Sequence, residues 1–277
     1  MSYVDGIIDR DKDIINIVER VGGKRVYKQL PARYVFYYPD AKGKFKSIWN
    51  EPLSRIACTN GKTFAREKKL YSHKQLFESD MNPVFRCLAE NYLEADAPEL
   101  NIAFFDIEVD FNKDVGFAPP EDPFNPVTAI AVHLSWLNRT ICLAVAPKTL
   151  DQETAQAICE KFPDTMLMNN EKELLNTFLD LIDDADVITG WNSEGFDIPY
   201  IVNRVKRQLG KEHTRRFCLW DKYPKRREYL SYGKTQETFD TVGRVHLDML
   251  QLYRKYTYHE MHSYSLDAIG EYELSER

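Results

Sequence analysis

Two acidic residues, Asp106 and Glu108, lie two positions apart in an apolar stretch, PhePheAspIleGluVal at residues 104–109. In a β-strand, side chains two positions apart share one face, so both carboxylates would point away from their apolar neighbours. Two carboxylates side by side repel each other and resist burial unless cations compensate them, and Mg²⁺ or Mn²⁺ is the natural partner of such oxygen ligands. The alternative is an edge strand with a solvated acidic face. Taken alone, the Asp-x-Glu pattern favours that alternative.

A third acid, Asp197, lies in ThrGlyTrpAsnSerGluGlyPheAspIleProTyrIle at residues 189–201. It follows an expected strand and loop and opens an expected helix, where an acid is also a good helix cap, and that is its structural alternative. An Asp-x-Glu pair on one strand, followed by Asn-x3-Phe-Asp at a strand-to-helix corner, is far more specific than either pattern alone. Asp248, beside apolar residues, is instead predicted to be a hydrogen-bonded structural acid.

Apolar periodicity predicts the elements that would position these acids. Residues 114–126 form a proline-rich loop between the first two expected strands, and Asn170, Pro199 and Gly210 occupy positions that helix termini prefer. The expected strands cover residues 101–109, 127–136, 140–146 and 186–191, and the expected helices cover residues 151–160, 171–182 and 198–209. Strands followed by alternating helices and strands indicate an α/β sheet with helices packed on it.

Residues 1–100 have a different pattern from the rest of the chain. They contain short β-type runs around Val26 and Val35, separated by turn-rich pieces, and no catalytic motif. We predict a β-rich α+β domain that ends near the acidic, proline-containing segment at residues 94–99, followed by a second domain at residues 101–277. The Tyr and Phe residues of the first domain are predicted to belong to its core rather than to a binding platform.

Composition limits the class of protein. The 277 residues carry a net charge of −6, and five cysteines are scattered without CxxC spacing. That cysteine pattern favours free thiols over a zinc site or a disulfide framework. No apolar run approaches the length of a membrane span, and the first residues lack the pattern of a secretion signal. We therefore expect a soluble cytoplasmic protein with no membrane partner.

Positive charge is concentrated at residues 204–234 despite the acidic total. A local basic stretch on an acidic protein can supply contacts to phosphates, and a solvated helix face followed by a loop is the alternative. Residues 226–239 alternate around a glycine, a pattern that predicts a β-hairpin.

Four motifs carry a resemblance to a known family: AsnGluLysGluLeuLeu (170–175), IleThrGlyTrpAsn (188–192), PheAspIleProTyr (196–200) and TyrSerLeuAsp (264–267). Together they resemble the replicative family B DNA polymerases of T-even-type bacteriophages, and a phage source would place the protein in the host cytoplasm. The resemblance is highly specific from about residue 101 onward and weaker before it. It implies a ribonuclease-H-like 3′→5′ proofreading exonuclease domain, a mixed sheet with flanking helices, after an N-terminal domain. The palm, fingers and thumb would come later in the full polymerase.

The resemblance also implies a site for two metal ions. In that family the ions activate a water and stabilise the leaving 3′-oxygen while a single-stranded 3′ end is hydrolysed. Carried over by position, Asp106 would bridge both ions, Glu108 would hold the first and Asp197 would serve the second. The cofactor would be Mg²⁺ or Mn²⁺.

The same resemblance assigns contacts to DNA. Phe117 lies where the family has an aromatic residue that stacks on an unpaired base, and anchoring its own loop is the alternative. Asn192 and Phe196 would contact the terminal nucleotides, and the hairpin would help to separate primer from template. Basic residues in this region would follow the phosphates: Arg226, Arg227 and Lys234.

One motif of the family is absent from this sequence. Family members have a further carboxylate in a Tyr-x3-Asp motif downstream of TyrSerLeuAsp, and residues 101–277 stop before it. We therefore expect weak or no exonuclease activity from this chain alone, with the remaining polymerase domains or a second polymerase chain as its partner. An expressed fragment and a split gene both stay open. His262 and Asp267, with His-x4-Asp spacing, are a lesser catalytic alternative, and a non-catalytic DNA-binding module is the runner-up function.

Overall fold

The computed structural model describes residues 2–231 and 233–274. The chain divides into two compact units, Met1–Glu99 and Leu100–Arg277, which we call the first and the second unit. None of the helices in the described residues is long and apolar enough to cross a membrane. The five cysteines are free thiols, as the sequence predicts.

Antiparallel strands dominate the first unit. Its elements are β1 (Ser2–Asp9), β2 (Ile14–Val21), β3 (Lys24–Pro31), β4 (Tyr34–Pro39), β5 (Phe45–Lys46), β6 (Pro52–Cys58), α1 (Gly61–Leu70) and α2 (Pro83–Tyr92). The strands form two three-stranded sheets in the orders β1-β2-β3 and β4-β6-β5. Each helix begins after an Asn whose side chain accepts a backbone N–H of the first turn, Asn60 for α1 and Asn82 for α2. The unit is therefore β-rich, with two capped helices.

The second unit is built on a six-stranded mixed sheet. Its elements are β7 (Ile102–Val109), β8 (Val127–Leu134), β9 (Arg139–Val145), α3 (Gln152–Cys159), β10 (Thr165–Met168), α4 (Glu171–Leu181), β11 (Val187–Gly190), α5 (Asp197–Gln208), a 3₁₀ helix (Lys211–Phe217), β12 (Lys225–Ser231), β13 (Lys234–Asp240), β14 (Val245–Asp248), α6 (Met249–Tyr256) and α7 (Leu266–Leu274). The sheet order is β10-β9-β8-β7-β11-β14. Strands β7, β8 and β9 are antiparallel neighbours, whereas β10 is parallel to β9 and β11 is parallel to both β7 and β14. The predicted α/β class with a mixed sheet is confirmed.

The core of the second unit lies between this sheet and its helices. Period-two alternation in β7 buries Phe105 and Ile107 and turns Asp106 and Glu108 to the opposite face. The predicted apolar stripe of α4 is buried against the same core. Asn170 caps that helix, as expected, by accepting a backbone hydrogen bond at 3.1 Å.

The structure differs from the prediction at several strands. Two parallel strands, β10 and β14, are absent from the sequence-based prediction, because each spans only four residues and shows too little periodicity to stand out. Strand β8 ends at Leu134, earlier than predicted, because a turn follows in which Asn138 adopts a positive φ of 46°. The predicted hairpin is present as β12 and β13, paired from Lys225 with Asp240 to Ser231 with Lys234.

Candidate active site

The exposed face of β7 carries Asp106 and Glu108, and both side chains reach solvent. Their cross-strand neighbours on β8 are the small residues Ala131 and Ala129, so nothing large covers the carboxylates from that side. Desolvation against the sheet raises the pKa of Asp106. Among the described residues, no Lys, Arg or His forms an ion pair with either carboxylate. Both acids are therefore open to a ligand.

The third acid, Asp197, is the first residue of α5 and lies against β7. It is 3% exposed, and its Oδ1 accepts a hydrogen bond from the backbone N–H of Ile107 at 3.2 Å. Since Ile107 lies between Asp106 and Glu108, the third acid is fixed to the strand that carries the other two. Burial raises the pKa of Asp197 to about 7, and the negative charge of Asp106 adds to this shift. The helix-cap alternative for Asp197 is wrong, because Phe196 occupies the N-cap position of α5 and none of the described side chains makes a capping hydrogen bond there.

A close approach of two strands precedes Asp197. A Cβ on Gly190 would lie 2.5 Å from the carbonyl oxygen of Phe105, so β11 can run this near to β7 only with glycine there. Two residues later, Asn192 adopts a positive φ of 58°, which Asn tolerates better than most residues. Residues 190–197, which we call the corner, therefore depend on specific residue types to reach the third acid.

Asp248, at the end of β14, holds the corner in shape. It pairs in register with Gly190 of the parallel strand β11 and is 7% exposed. Its carboxylate accepts hydrogen bonds from the backbone N–H groups of Asn192 at 3.1 Å, Glu194 at 3.0 Å and Leu250 at 2.9 Å. The interpretation of Asp248 as a hydrogen-bonded structural acid is confirmed. Its link to the corner spans more than fifty positions of sequence, so no local pattern revealed it.

Both predicted contacts to terminal nucleotides lie in the corner. The Asn192 side chain is exposed and accessible to a ligand. Phe196 is half-buried, and its ring packs against that of Tyr200 with 5.3 Å between centroids. Phe196 therefore contributes to the core packing of α5 as well as to the surface beside Asp197.

An exposed aromatic pair lies in the loop between β7 and β8. Phe117 is 71% exposed, and its ring centroid lies 4.8 Å from that of Phe111. The rings meet because Gly116, with a φ of 90°, donates its N–H to the carbonyl of Asn112 at 2.6 Å and closes a tight turn. Phe117 thus packs within its own loop and still presents most of its ring to solvent. Sequence reasoning missed Phe111, because a contact across a turn leaves no periodicity; we call residues 111–117 the aromatic arm.

Helix α5 fixes the base of the same loop. The hydroxyl of Tyr200 donates to the carbonyl of Asn125 at 2.7 Å, and the guanidinium of Arg204 donates to the carbonyl of Pro123 at 2.8 Å. Arg204 also forms a buried ion pair with Glu171 at the start of α4. The helix that opens with the third acid therefore also positions the loop that carries the aromatic arm.

The hairpin arginines face acidic partners. Arg226 pairs with Glu237 on the neighbouring strand. Arg227 pairs with Asp240 and also with Glu194 of the corner. Arg227 therefore ties the hairpin to the corner, and the charge of both arginines is balanced by carboxylates of the protein.

Many basic side chains of the predicted stretch form ion pairs within the second unit. Four of its arginines form ion pairs with acids of the same unit: Arg204 with Glu171, Arg207 with Asp122, Arg215 with Asp221 and Arg216 with Asp180. The side chain of Lys234, another predicted DNA contact, lies outside the described part of the structure. The charge available for phosphates is therefore smaller than the sequence of residues 204–234 indicates.

The donor chemistry of Asp106, Glu108 and Asp197, which we call the carboxylate cleft, fits a hard divalent cation. All three supply carboxylate oxygens, and burial raises the pKa values of Asp106 and Asp197, with the charge of Asp106 adding to the shift of Asp197. A bound cation would offset both effects. Within residues 2–231 and 233–274, however, no three His, Cys, Asp or Glu side chains converge closely enough to hold a metal ion. Asp197 and Asp106 are electrostatically coupled, whereas Glu108 points to solvent from the next position on that face.

The lesser catalytic alternative, His262 with Asp267, has no geometric support. Asp267 lies in the first turn of α7, and both side chains are exposed. In the part of the chain that the structure describes, no hydrogen bond or ion pair joins either residue to the other or to the carboxylate cleft.

A family and several known proteins are similar to this chain. The family described as DNA polymerase family B, exonuclease domain, matches residues 56–269. The DNA-directed DNA polymerase of Escherichia phage RB69 is 32% identical over 256 residues, which cover 84% of this chain and 28% of that protein. The DNA-directed DNA polymerase of Enterobacteria phage T4 is 32% identical over 129 residues, 45% of this chain and 14% of that protein. The DNA polymerase delta catalytic subunit of Mesocricetus auratus is 26% identical over 194 residues, 64% of this chain and 16% of that protein. The chain thus spans less than a third of the length of these relatives.

Proposed function

This chain belongs to the exonuclease-domain family of the family B DNA polymerases, and from that premise we propose that its second unit is the proofreading module of a replicative polymerase. The proposed reaction is metal-dependent 3′→5′ hydrolysis of the terminal phosphodiester of a single-stranded DNA end, on a ribonuclease-H-like fold. The observation that carries the proposal is the hydrogen bond from the Ile107 amide to Asp197. It holds Asp197 against the stretch of β7 that carries Asp106 and Glu108.

Asp106, Glu108 and Asp197 would hold Mg²⁺ or Mn²⁺ in this proposal. When bound, two such ions supply an activated water and stabilise the leaving 3′-oxygen. The chain positions the oxygen ligands. Burial fixes the carboxylate of Asp197, and exposure leaves the carboxylates of Asp106 and Glu108 accessible to a cation. Repulsion between Asp197 and Asp106 gives the cleft a preference for positive charge before any ligand arrives.

The aromatic arm suits an unpaired 3′ end. Phe117 offers an open ring face for a base, a sequence-tolerant contact worth about 1–3 kcal/mol per base. Phe111 packs against that ring, so a stacked base would meet an aromatic side chain that is already ordered. In the corner, Asn192 and Phe196 would contact the terminal nucleotides beside Asp197.

The proposed partners are a single-stranded 3′ end, the primer–template from which it comes, and the remaining domains or second chain of a polymerase. The relatives that carry the name DNA polymerase are matched over only part of their length, so polymerisation is not assigned to these residues. The hairpin would act where primer and template separate, since Arg227 joins it to the corner through Glu194.

A non-catalytic DNA-binding module is the second candidate. The observation in its favour is that the described residues contain no group of three metal-ligating side chains, while the aromatic arm and the corner still offer contacts to DNA. Such a module would bind single strands without a divalent cation. The two functions therefore differ in whether a cation binds at the carboxylate cleft.

Calorimetric titration with Mn²⁺, in the presence of a short single-stranded oligonucleotide, separates the two functions. The wild-type chain is expected to bind Mn²⁺, and the Asp106→Asn/Glu108→Gln variant is expected to lose that binding while it retains the oligonucleotide. Asp267→Asn is the matched control, because it removes an exposed carboxylate outside the cleft. Equal Mn²⁺ binding by the wild type and the double variant would contradict the exonuclease proposal.

A further inference from the structure

Five aromatic side chains of the first unit are exposed, and two of them, Phe45 and Trp49, lie close together in the chain. The prediction that its Tyr and Phe residues form the core is confirmed for only three of them, Tyr34, Phe36 and Tyr92, and the others are half-buried or exposed. Phe45 on β5 is 38% exposed and therefore departs from that prediction, and Trp49 in the following turn is 66% exposed. A ring that is exposed to water can bury that apolar surface only against a ligand or a partner.

Both rings are held in place by the sheet β4-β6-β5 and its turn. Phe45 packs edge-on against Tyr37 with 5.3 Å between centroids. The turn is closed by Ser47, whose hydroxyl accepts the backbone N–H groups of Trp49 and Glu51, each at 3.2 Å. The backbone N–H of Ser47 also donates to the carbonyl of Glu51 at 3.0 Å. Trp49 is therefore presented on an ordered backbone.

Four cations lie near the two rings, three of them along the chain and one in space. Lys42, Lys44 and Lys46 are exposed, and the guanidinium of Arg55 lies 4.9 Å from the ring centroid of Phe45. In the described part of the chain, no acidic side chain forms an ion pair with any of these four cations. Lys and Arg outnumber Asp and Glu in residues 1–99, although the whole chain carries a net charge of −6.

We propose that these six residues, Lys42, Lys44, Phe45, Lys46, Trp49 and Arg55, form a second binding surface for single-stranded DNA. Bases would stack on the two rings, and the backbone phosphates would contact the cations. Only an unpaired base offers its ring face to an aromatic side chain. A single strand therefore fits this surface better than a duplex does. The choice of DNA over RNA rests on the proposed function of the second unit.

The test is fluorescence anisotropy of a labelled oligodeoxynucleotide with the 277-residue chain. It is run in a Phe111→Ala/Phe117→Ala background, which removes stacking at the other site. Trp49→Ala is expected to weaken binding about fivefold or more, and Trp49→Phe is expected to restore most of it. Phe85→Ala is the matched control, because Phe85 is also 66% exposed in the first unit.

A second experiment tests the contribution of the cations to binding. Lys44→Gln/Lys46→Gln is expected to lower the salt dependence of log Kd by about 0.7 for each phosphate that the variant no longer neutralises, whereas Lys62→Gln, which removes an exposed lysine of α1, leaves it unchanged. Unchanged affinity in Trp49→Ala, an equal loss in Phe85→Ala, or equal binding of duplex would overturn the proposal. Tighter binding of an RNA of the same sequence would overturn the choice of DNA. Mn²⁺ binding at the carboxylate cleft is expected to be the same in all these variants, so failure here is distinct from failure of the exonuclease proposal.

Discussion

Two pairs of acids differ in exposure to solvent: Asp197 and Asp248, which we call the buried wall, and Asp106 and Glu108, which we call the exposed wall. Asp197, the last residue of the corner, and Asp248, at the end of β14, are nearly inaccessible, and both accept hydrogen bonds from backbone amides of other segments. On β7, Asp106 and Glu108 face solvent opposite two alanines. Both carboxylate oxygens of Asp248 accept backbone hydrogen bonds, and one oxygen of Asp197 does so. The carboxylates of the exposed wall are accessible to a ligand.

This difference indicates a division of labour between positioning and binding. A buried carboxylate that accepts several amide hydrogen bonds stabilises one backbone conformation, and removing it leaves those donors unsatisfied. An exposed carboxylate contributes little to stability, so its presence on an apolar strand favours a role in ligand binding. Substitutions in the buried wall are therefore expected to change the free energy of unfolding, and substitutions on β7 are expected to change ligand affinity.

The largest effect is expected from Asp248→Ala. This change leaves the amides of Asn192, Glu194 and Leu250 without their shared acceptor, and we expect it to lower the free energy of unfolding by about 3 kcal/mol. Urea unfolding followed by circular dichroism measures the loss. Asp248→Asn, which keeps one acceptor oxygen, is the control and should lose less. If both variants were as stable as the wild type, the corner would not depend on this acid.

A smaller effect of opposite sign is expected from Asp197→Asn. The pKa of Asp197 is about 7 in the folded protein against an ordinary value of 3.8, so between those pH values the folded state binds the proton more tightly than the unfolded state does. The free energy of unfolding of the wild type therefore falls as the pH rises from about 4 through about 7, and stays lower above it. The Asn variant cannot ionise, and we expect it to exceed the wild type by about 2 kcal/mol at pH 8.

Urea unfolding at pH 5 and pH 8, with a chelator present to remove divalent ions, measures this difference. The two proteins should be closer in stability at pH 5, where Asp197 is mostly protonated in the folded wild type. A variant that is less stable than the wild type at pH 8 would show that the ionised carboxylate stabilises the corner instead of straining it.

The exposed wall could be predicted from sequence much more completely than the buried one. Alternation within β7 is a local property, so the shared face of Asp106 and Glu108 follows from eight consecutive residues. The bond between Asp197 and Ile107 joins positions 90 residues apart, and the steric demand at Gly190 arises only when β11 lies beside β7. Contacts of this kind depend on the order of strands in the sheet. Since β14 itself was too short to predict, its part in shaping the corner was also out of reach.

The aromatic arm extends the comparison to DNA binding. Removing its stacking ring is expected to change the free energy of binding to a single strand by about 1 kcal/mol. Phe117→Ala should weaken single-strand binding about fivefold, because a stacked base loses its ring partner. Phe111→Ala should have a smaller effect, since it removes only the packing that orders Phe117. Anisotropy of a labelled oligonucleotide measures both. Phe162→Ala is the control, because that ring is exposed elsewhere in the second unit; an equal loss there would show that the effect is not specific to the arm.

The smallest change in stability is expected on β7, from Asp106→Ala and Glu108→Ala. Neither side chain has an ion-pair partner in the described residues, and removing one of two neighbouring negative charges relieves repulsion. Without divalent ions, the free energy of unfolding of each variant should therefore stay within about 0.5 kcal/mol of the wild type or rise slightly. Mn²⁺ affinity in calorimetric titration should fall in both. A clear loss of stability in both variants, equal to that of Asp248→Ala, would show that the two walls do not differ and that the acids of β7 are structural.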